Sequence, residues 1–412
     1  MIMKVSKSNR VFGDVYISGS KNAAMPCICA ALLTKKKVIL RNIPDIDDVN
    51  NLIRIIKGLG VYIKRKDDVL IIKARRLKTK ITSDLVEKLR GSYYLMGSIL
   101  SRKKKIKTKY PGGCSFCDRP IDYHLKGFEE MGYKIISNDH DLEIKEVKRV
   151  AKKITFPQVS LGATINIILI ASSIKEETII TNPSLEPEVL CVIDMLKQMG
   201  VKIELKNNQL YINKETKLKG VDYRIINDRI EAGSYLFLAS AIPNSKITLH
   251  NVNVKELETV IIAARRIGTK ITKLKDALIV EGSKNIKRTN ILIGPYPFFP
   301  TDLQQIISVV LTKADRTSII EDPIFPNRIS LVNELKKMHA DIKMENNQII
   351  IKKSTLIAAK VKATDLRCAF ALIVAGAIAD GSTYIYNIDY LFRGYVNPVE
   401  KLKKIGIHVQ LI

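Results

Sequence analysis

Apolar positions along the chain fall into two alternating kinds of stretch. In residues 49–59, 189–199 and 257–267 they recur every three or four places with polar residues between, the period of a helix that buries one face. In residues 23–33, 89–100, 161–173, 230–242, 303–311 and 366–378 small and apolar side chains run nearly all the way round, which predicts helices buried on most sides. Short runs rich in Ile, Val and Leu separate them and read as strands.

The two kinds of helix belong to a repeat. The amphipathic run closes on a large apolar residue, a glycine and an Ile or Val within three places. This occurs at Leu59-Gly60-Val61, Met131-Gly132-Tyr133-Lys134-Ile135, Met199-Gly200-Val201, Ile267-Gly268-Thr269-Lys270-Ile271 and Ile405-Gly406-Ile407, with Met338-His339-Ala340 at the remaining place. Successive steps from Gly60 are 72, 68, 68, 71 and 67 residues, too regular for chance. Glycine there suits the left-handed position that ends a helix. In five copies a turn and a second strand follow, at Asp67-Asp68, Asp139-His140-Asp141, Asn207-Asn208, Lys275-Asp276 and Asn346-Asn347; the sixth copy runs to the C-terminus. Each unit thus joins one buried helix, one amphipathic helix and a small mixed sheet. The predicted class is α/β, with six repeats of about 70 residues. Three units could close around their buried helices, so that six give two similar lobes with a cleft between them.

Composition sets bounds on this picture. A chain of 412 residues, 46% hydrophobic and 26% charged, is that of a soluble globular protein of two or three domains. The longest nearly uninterrupted apolar run, residues 165–174, is too short to cross a bilayer, and residues 1–13 lack the apolar core of a secretory signal. A cytoplasmic protein with no membrane insertion is expected, its six cysteines reduced. The net charge of +27 invites a nucleic-acid reading. Against it, lysine is spread along the whole chain, Trp is absent, and no paired CxxC or RNP-like aromatic run occurs. Compositional bias or attraction of small anionic substrates accounts for the charge as well.

Candidate chemistry gathers at a few places. Pro111-Gly112-Gly113-Cys114-Ser115-Phe116-Cys117-Asp118-Arg119-Pro120 reads as a mobile surface loop carrying a thiol. Lys103, Lys104, Lys105, Lys107, Lys109 and Arg119 lie close enough in sequence to favour the Cys114 thiolate, although an inert cysteine in a glycine-rich turn fits the same residues. The Cys114-x2-Cys117 pair is half of a zinc or redox site, and no second pair completes it. Of five scattered histidines only His124 lies near this loop. Ser18-Gly19-Ser20-Lys21-Asn22 opens the first buried helix and suits either an anion or an ordinary helix cap. Arg90, Arg229, Arg328, Arg367 and Arg393 could line an anionic cleft; each alone reads as a surface charge or a partner of a nearby carboxylate. Asp302 follows the apolar, Pro-rich segment Tyr296-Pro297-Phe298-Phe299-Pro300-Thr301. Desolvation there would suit it to general-base work, while Thr301 or Asp302 could instead cap the following helix.

Seven ordered motifs carry a resemblance over essentially the whole chain: Gly19-Ser20-Lys21-Asn22-Ala23-Ala24, the Pro111–Cys114 stretch with Arg119-Pro120-Ile121-Asp122, Val159-Ser160-Leu161-Gly162-Ala163-Thr164, Asp228-Arg229-Ile230-Glu231-Ala232-Gly233, Pro300-Thr301-Asp302-Leu303-Gln304, Ala363-Thr364-Asp365-Leu366-Arg367 and Arg393-Gly394-Tyr395. Together they resemble the enolpyruvyl transferases, specifically those that act on UDP-N-acetylglucosamine. Relatives acting on shikimate 3-phosphate share the repeat and are not expected to have the cysteine loop.

The resemblance implies a two-lobed inside-out α/β barrel, three units per lobe. One lobe would be residues 20–226 with the Cys114 loop, the other residues 1–19 and 227–412 with Asp302. It implies transfer of the enolpyruvyl group of phosphoenolpyruvate to the 3'-hydroxyl of UDP-N-acetylglucosamine with loss of phosphate, the first committed step of peptidoglycan synthesis. Cys114 would donate a proton and Asp302 would take the hydroxyl proton. Lys21, Arg119 and Arg393 would clamp phosphoenolpyruvate, with Asn22 beside Lys21 and with Arg328 and Arg367 adding to the substrate-binding set. Arg90, Arg119, Pro120, Ile121, Asp122, Tyr123, Ser160, Leu161, Gly162, Asp302 and Ile324 would bind the nucleotide sugar. No metal, organic cofactor or nucleic-acid partner is called for, and fosfomycin would alkylate Cys114. The chain departs from the family pattern at Cys117, where glycine is usual, at Phe298, where a small residue is usual, and at His339, in the place of the repeat glycine. Two rival readings stand beside this one: a different acceptor on the same fold, and a basic nucleic-acid-binding protein without catalysis.

Overall fold

The structure is a computed structural model and describes residues 1–112, 121–138, 141–214, 217–325 and 329–412. These divide into two compact units, a discontinuous one of residues 1–18 and 227–412 and a continuous one within residues 19–226. In the continuous unit the buried helices are Lys21–Ala30, Tyr94–Leu100 and Leu161–Ala171. In the discontinuous unit they are Arg229–Ala241, Gln304–Leu311 and Leu366–Ile378, which touch one another pairwise. Every side chain of Arg229–Ala241 is buried, as the all-round apolar pattern requires. Full burial of one Ile or Leu contributes about 1.5–3 kcal/mol, so these helices anchor their units.

Three of the expected helices are entered through 3-10 turns. Residues 89–100 form a 3-10 turn, Arg90–Tyr93, before the α-helix begins at Tyr94. The cause is local: Leu89 is extended, and a Cβ on Gly91 would lie 2.0 Å from the Met25 side chain, so this turn is fitted to its neighbour. Thr301–Leu303 and Val254–Leu257 are likewise 3-10 turns that lead into the helices Gln304–Leu311 and Glu258–Arg266.

Each repeat's hairpin forms the body of a sheet. Five sheets have four strands and one has three among the described residues. In each four-stranded sheet one edge strand runs parallel to its neighbour, as Lys153–Thr155 does beside Thr178–Thr181 and Asp222–Arg224 beside Lys37–Arg41. The three-stranded sheet of Lys105–Lys109, Asp141–Glu146 and Tyr133–Ser137 has only an isolated parallel bridge, Lys80 to Lys107, at that place. The sixth repeat has no second hairpin strand of its own. Ile2–Ser6 fills the position, antiparallel to both Ser382–Tyr386 and His408–Leu411. Phe12–Tyr16 then serves as the parallel edge strand beside Lys246–His250.

Turn chemistry follows the residues. Asn207-Asn208 and Asn346-Asn347 hold φ of 50, 56, 47 and 63°, the left-handed pair that closes a two-residue hairpin. The repeat glycines Gly60, Gly132, Gly200, Gly268 and Gly406 all have φ between 86 and 99°, and His339 takes the same position at 65°. No helix among the described residues is long and apolar enough to cross a membrane.

Candidate active site

In the discontinuous unit the N-terminal ends of the buried helices hold charge. Asp228 accepts from Ile230 N and Glu231 N at 2.8 and 3.0 Å, and Asp365 accepts from Arg367 N and Cys368 N at 2.8 and 3.1 Å. Both carboxylates therefore cap helices and answer the positive end of the helix dipole. Arg229 and Arg367 follow them directly, 8% and 4% exposed. Of the two readings of Arg229 and Arg367, surface charge or partner of a nearby carboxylate, the first is corrected: both are buried, Arg229 over the Tyr296 ring at 5.6 Å, while Arg367 does pair with a carboxylate, that of Asp302.

Arg367 organises this end. Its Nη2 donates to Asp302 Oδ2 at 3.1 Å and its Nη1 to the Tyr395 hydroxyl at 3.4 Å. Burial alone would push the guanidinium down, but Asp302, Tyr395 and Asp228 around it hold it above its usual range. Tyr395, itself bonded to Ser234 Oγ at 2.8 Å and stacked on Phe370, is pushed up to about 12 by burial. Asp302 lies in the Thr301–Leu303 turn with its side chain 29% exposed. The desolvated setting expected from the apolar approach is replaced by a buried cation. The capping alternative also falls, since Pro300 and Leu303 hold the cap positions without side-chain cap bonds. Asp322, which the sequence reading passed over, ties this segment to Ile324. Its two carboxylate oxygens accept from Thr301 Oγ1 at 2.8 Å and from Ile324 N and Phe325 N at 3.0 Å. Arg393 ends the Ile388–Arg393 turn, with its guanidinium 6.0 Å from the Tyr390 ring centroid.

The continuous unit presents neutral caps. Ser20 Oγ accepts from Ala23 N at 3.3 Å and Ser160 Oγ from Ala163 N at 3.4 Å. Lys21 pairs with buried Asp48 at 2.7 Å, and Asn22 follows it on the same first turn. Arg90 Nη1 donates to Pro111 O at 3.1 Å and lies over the Tyr93 ring. Gly112 is required for close approach, because a Cβ there would lie 1.9 Å from Glu87 O. Lys109, part of the basic run, is neutralised by Asp84 and Glu87 at 2.9 and 2.8 Å. Buried Ile121 caps the Asp122–Glu130 helix, Asp122 is exposed, and Tyr123 lies near Phe156. Leu161 and Gly162 are the first helical residues after Ser160. Beneath them His124 is pushed down to about 3 by burial and by the Arg90 charge.

Gly113, Cys114, Cys117, Arg119, Pro120 and Arg328 lie outside the described residues. The cysteines that are described, Cys27, Cys29, Cys191 and Cys368, are buried and free. Among the described residues no three His, Cys, Asp or Glu side chains gather to hold a metal. Asp48, Asp322, Asn166 and Tyr395 were not singled out as site residues; only Tyr395 carried a signal, as part of the Arg393-Gly394-Tyr395 motif.

A family model described as EPSP synthase (3-phosphoshikimate 1-carboxyvinyltransferase) matches residues 5–402. The chain belongs to this family. Within it, the chain is 37% identical to UDP-N-acetylglucosamine 1-carboxyvinyltransferase of Halothermothrix orenii over 99% of both chains. It is 39% identical to the enzyme of the same name from Clostridium botulinum over 98% of both. This enolpyruvyl transferase also shares its fold with solved structures. NikO, an enolpyruvyl transferase from Streptomyces tendae, matches with a TM-score of 0.90 at 19% identity over 99% of this chain and 98% of that one. EPSP synthase from Acinetobacter baumannii matches with a TM-score of 0.77 at 17% identity over the full length of both.

Proposed function

We propose that this chain is a cytoplasmic UDP-N-acetylglucosamine 1-carboxyvinyltransferase, moving the enolpyruvyl group of phosphoenolpyruvate to the sugar 3'-hydroxyl in peptidoglycan synthesis. The observation that carries the reading is identity of 37–39% along nearly the whole length of relatives bearing that name. The chemistry asks for a base for the hydroxyl proton, an acid for C3 of the enol phosphate, and cations for the departing phosphate. Asp302 is the base, oriented by Arg367, and Cys114 is the acid. Lys21, Asn22, Arg119, Arg328 and Arg393 hold phosphoenolpyruvate, with Lys21 oriented by Asp48. Arg90, Pro120, Ile121, Asp122, Tyr123, Ser160, Leu161, Gly162 and Ile324 hold the nucleotide sugar.

In this mechanism the hydroxyl oxygen attacks C2 as its proton passes to the carboxylate, and C3 gains a proton from the thiol. The tetrahedral adduct then returns a C3 proton to the Cys114 thiolate and expels phosphate, leaving an enol ether on the sugar. Phosphate release measured with both substrates tests the reading. Asp302→Asn is expected to lower turnover about 10²–10⁴-fold, the usual weight of a general base, and Cys114→Ala to lower it comparably. Retained turnover in Asp302→Asn removes the assigned base. The family model's own description names 3-phosphoshikimate as acceptor. Activity with that acceptor and none with the nucleotide sugar would move the chain to the other branch.

A further inference from the structure

The buried polar cluster under the Leu161–Ala171 helix is not accounted for by the roles above. Its hub is Asn166, fully buried. Asn166 Oδ1 accepts from Gly97 N at 2.9 Å, and a backbone N–H can only donate, so the orientation of the amide is fixed. Its Nδ2 then faces Tyr93 O at 3.2 Å and His124 Nδ1 at 2.7 Å. Because Nδ2 can only donate, Nδ1 must accept. The neutral imidazole therefore carries its proton on Nε2. That side of the ring has no partner among the described residues, although His124 is only 5% exposed. It abuts Gly162, where an added Cβ would meet Cε1 and Nε2 of His124 at 2.9 and 3.0 Å and the Tyr93 hydroxyl at 2.9 Å.

We propose that His124 is a fixed neutral hydrogen-bond donor whose Nε2–H contacts an acceptor oxygen of the nucleotide sugar at the Ser160–Gly162 turn, and that Asn166 is the positioning residue that selects this tautomer. The inference rests on the function proposed above. A protonated ring would turn Nδ1–H against the Asn166 amide, so the cluster holds the imidazole uncharged and its donor constant. Arg90 and Tyr93 face the ring from the Arg90–Tyr93 turn, and Asn166 and Gly162 from the helix above. The Arg90 charge also opposes protonation.

Steady-state kinetics on the full chain test this with UDP-N-acetylglucosamine as the varied substrate. His124→Leu should raise its KM about tenfold, the weight of one hydrogen bond, with little change in kcat, and His124→Gln should restore most of the loss by offering an amide N–H. Asn166→Asp should reverse the donor logic. Its carboxylate accepts from the imidazole, so that above the new histidine pKa the proton sits on Nδ1 and Nε2 no longer donates. KM should then rise with pH in Asn166→Asp and stay flat in the wild type. Nitrogen-15 NMR of the wild-type histidines should show one neutral Nε2–H ring throughout pH 6–8. A KM unmoved in His124→Leu, a glutamine no better than leucine, or an Nδ1–H ring in the wild type overturns the inference. If Asn166→Asp fails to fold, the two His124 variants and the wild-type spectrum still decide it. A wild type that releases no phosphate with this acceptor defeats the proposed function and this inference together. An Nδ1–H ring in a chain that does turn over defeats the inference alone.

Discussion

The buried helices of the two units occupy equivalent places in one repeat, yet their N-terminal ends are finished differently. In the discontinuous unit Asp228 and Asp365 cap the helices and buried arginines follow at once. In the continuous unit the caps are Ser20 and Ser160, followed by Lys21 in one helix and by Leu161 and Gly162 in the other. A carboxylate cap cancels the positive helix end on the spot, whereas a hydroxyl cap leaves that potential to an incoming anion. One repeat thus gives two surfaces. The first holds a carboxylate against a buried guanidinium, the carboxylate that the proposed function assigns to proton removal. The second presents amides, cations and a neutral imidazole, a setting for negative or oxygen-rich groups.

The comparison breaks most sharply at Arg367. Arg367→Met should cost on the order of 3 kcal/mol in urea unfolding, because Asp302 and the Asp228 cap would lose their cation in a mostly buried place. A loss below about 1 kcal/mol would mean that water already screens the pair. Next in size is the response to acid. The His124 pKa is near 3 when folded and near 6.5 when unfolded, so its contribution is complete above pH 6.5 and is lost as pH falls toward 3. Between pH 7 and 5 this amounts to about 2 kcal/mol, and His124→Gln should flatten that part of the stability profile. Caps give a smaller contrast. Asp365→Ala, which strips acceptors from two N–H groups, should cost about 2 kcal/mol and Ser160→Ala about 1 kcal/mol by the same denaturation. Equal costs would remove the distinction between the units. The smallest effect is expected at His339, where a non-glycine residue holds φ of 65°. His339→Gly should gain about 0.5 kcal/mol, relief of left-handed strain being partly offset by chain entropy.

Much of this was legible from pattern alone. Positions 161–173 and 366–378 are apolar all round, and the helices Leu161–Ala171 and Leu366–Ile378 fall inside them. The spacing of the helix-ending glycines located the left-handed positions, including the one His339 fills. What pattern could not show was pairing across distance. Asp302 and Arg367 are 65 positions apart, and nothing in either motif says that one buried side chain answers the other. Asn166 lies inside the run 161–173 and nothing in that pattern marks it; only its contacts with Gly97, Tyr93 and His124 make it a hub. Asp48 lies just ahead of the amphipathic run 49–59, and nothing in that pattern marks it as the partner of Lys21.

The strand Ile2–Ser6 has a consequence for biosynthesis. Ser6 and Ser382, whose hydroxyls meet at 2.9 Å, are 376 residues apart. At typical ribosomal rates about 20–75 seconds separate their appearance. The earliest-made segment must stay unpaired until the final sheet partners leave the tunnel, while residues 19–226 can already assemble behind it. A nascent chain stalled far enough past residue 226 for residues 19–226 to clear the tunnel should therefore resist protease across that unit and be clipped around Ile2–Ser6.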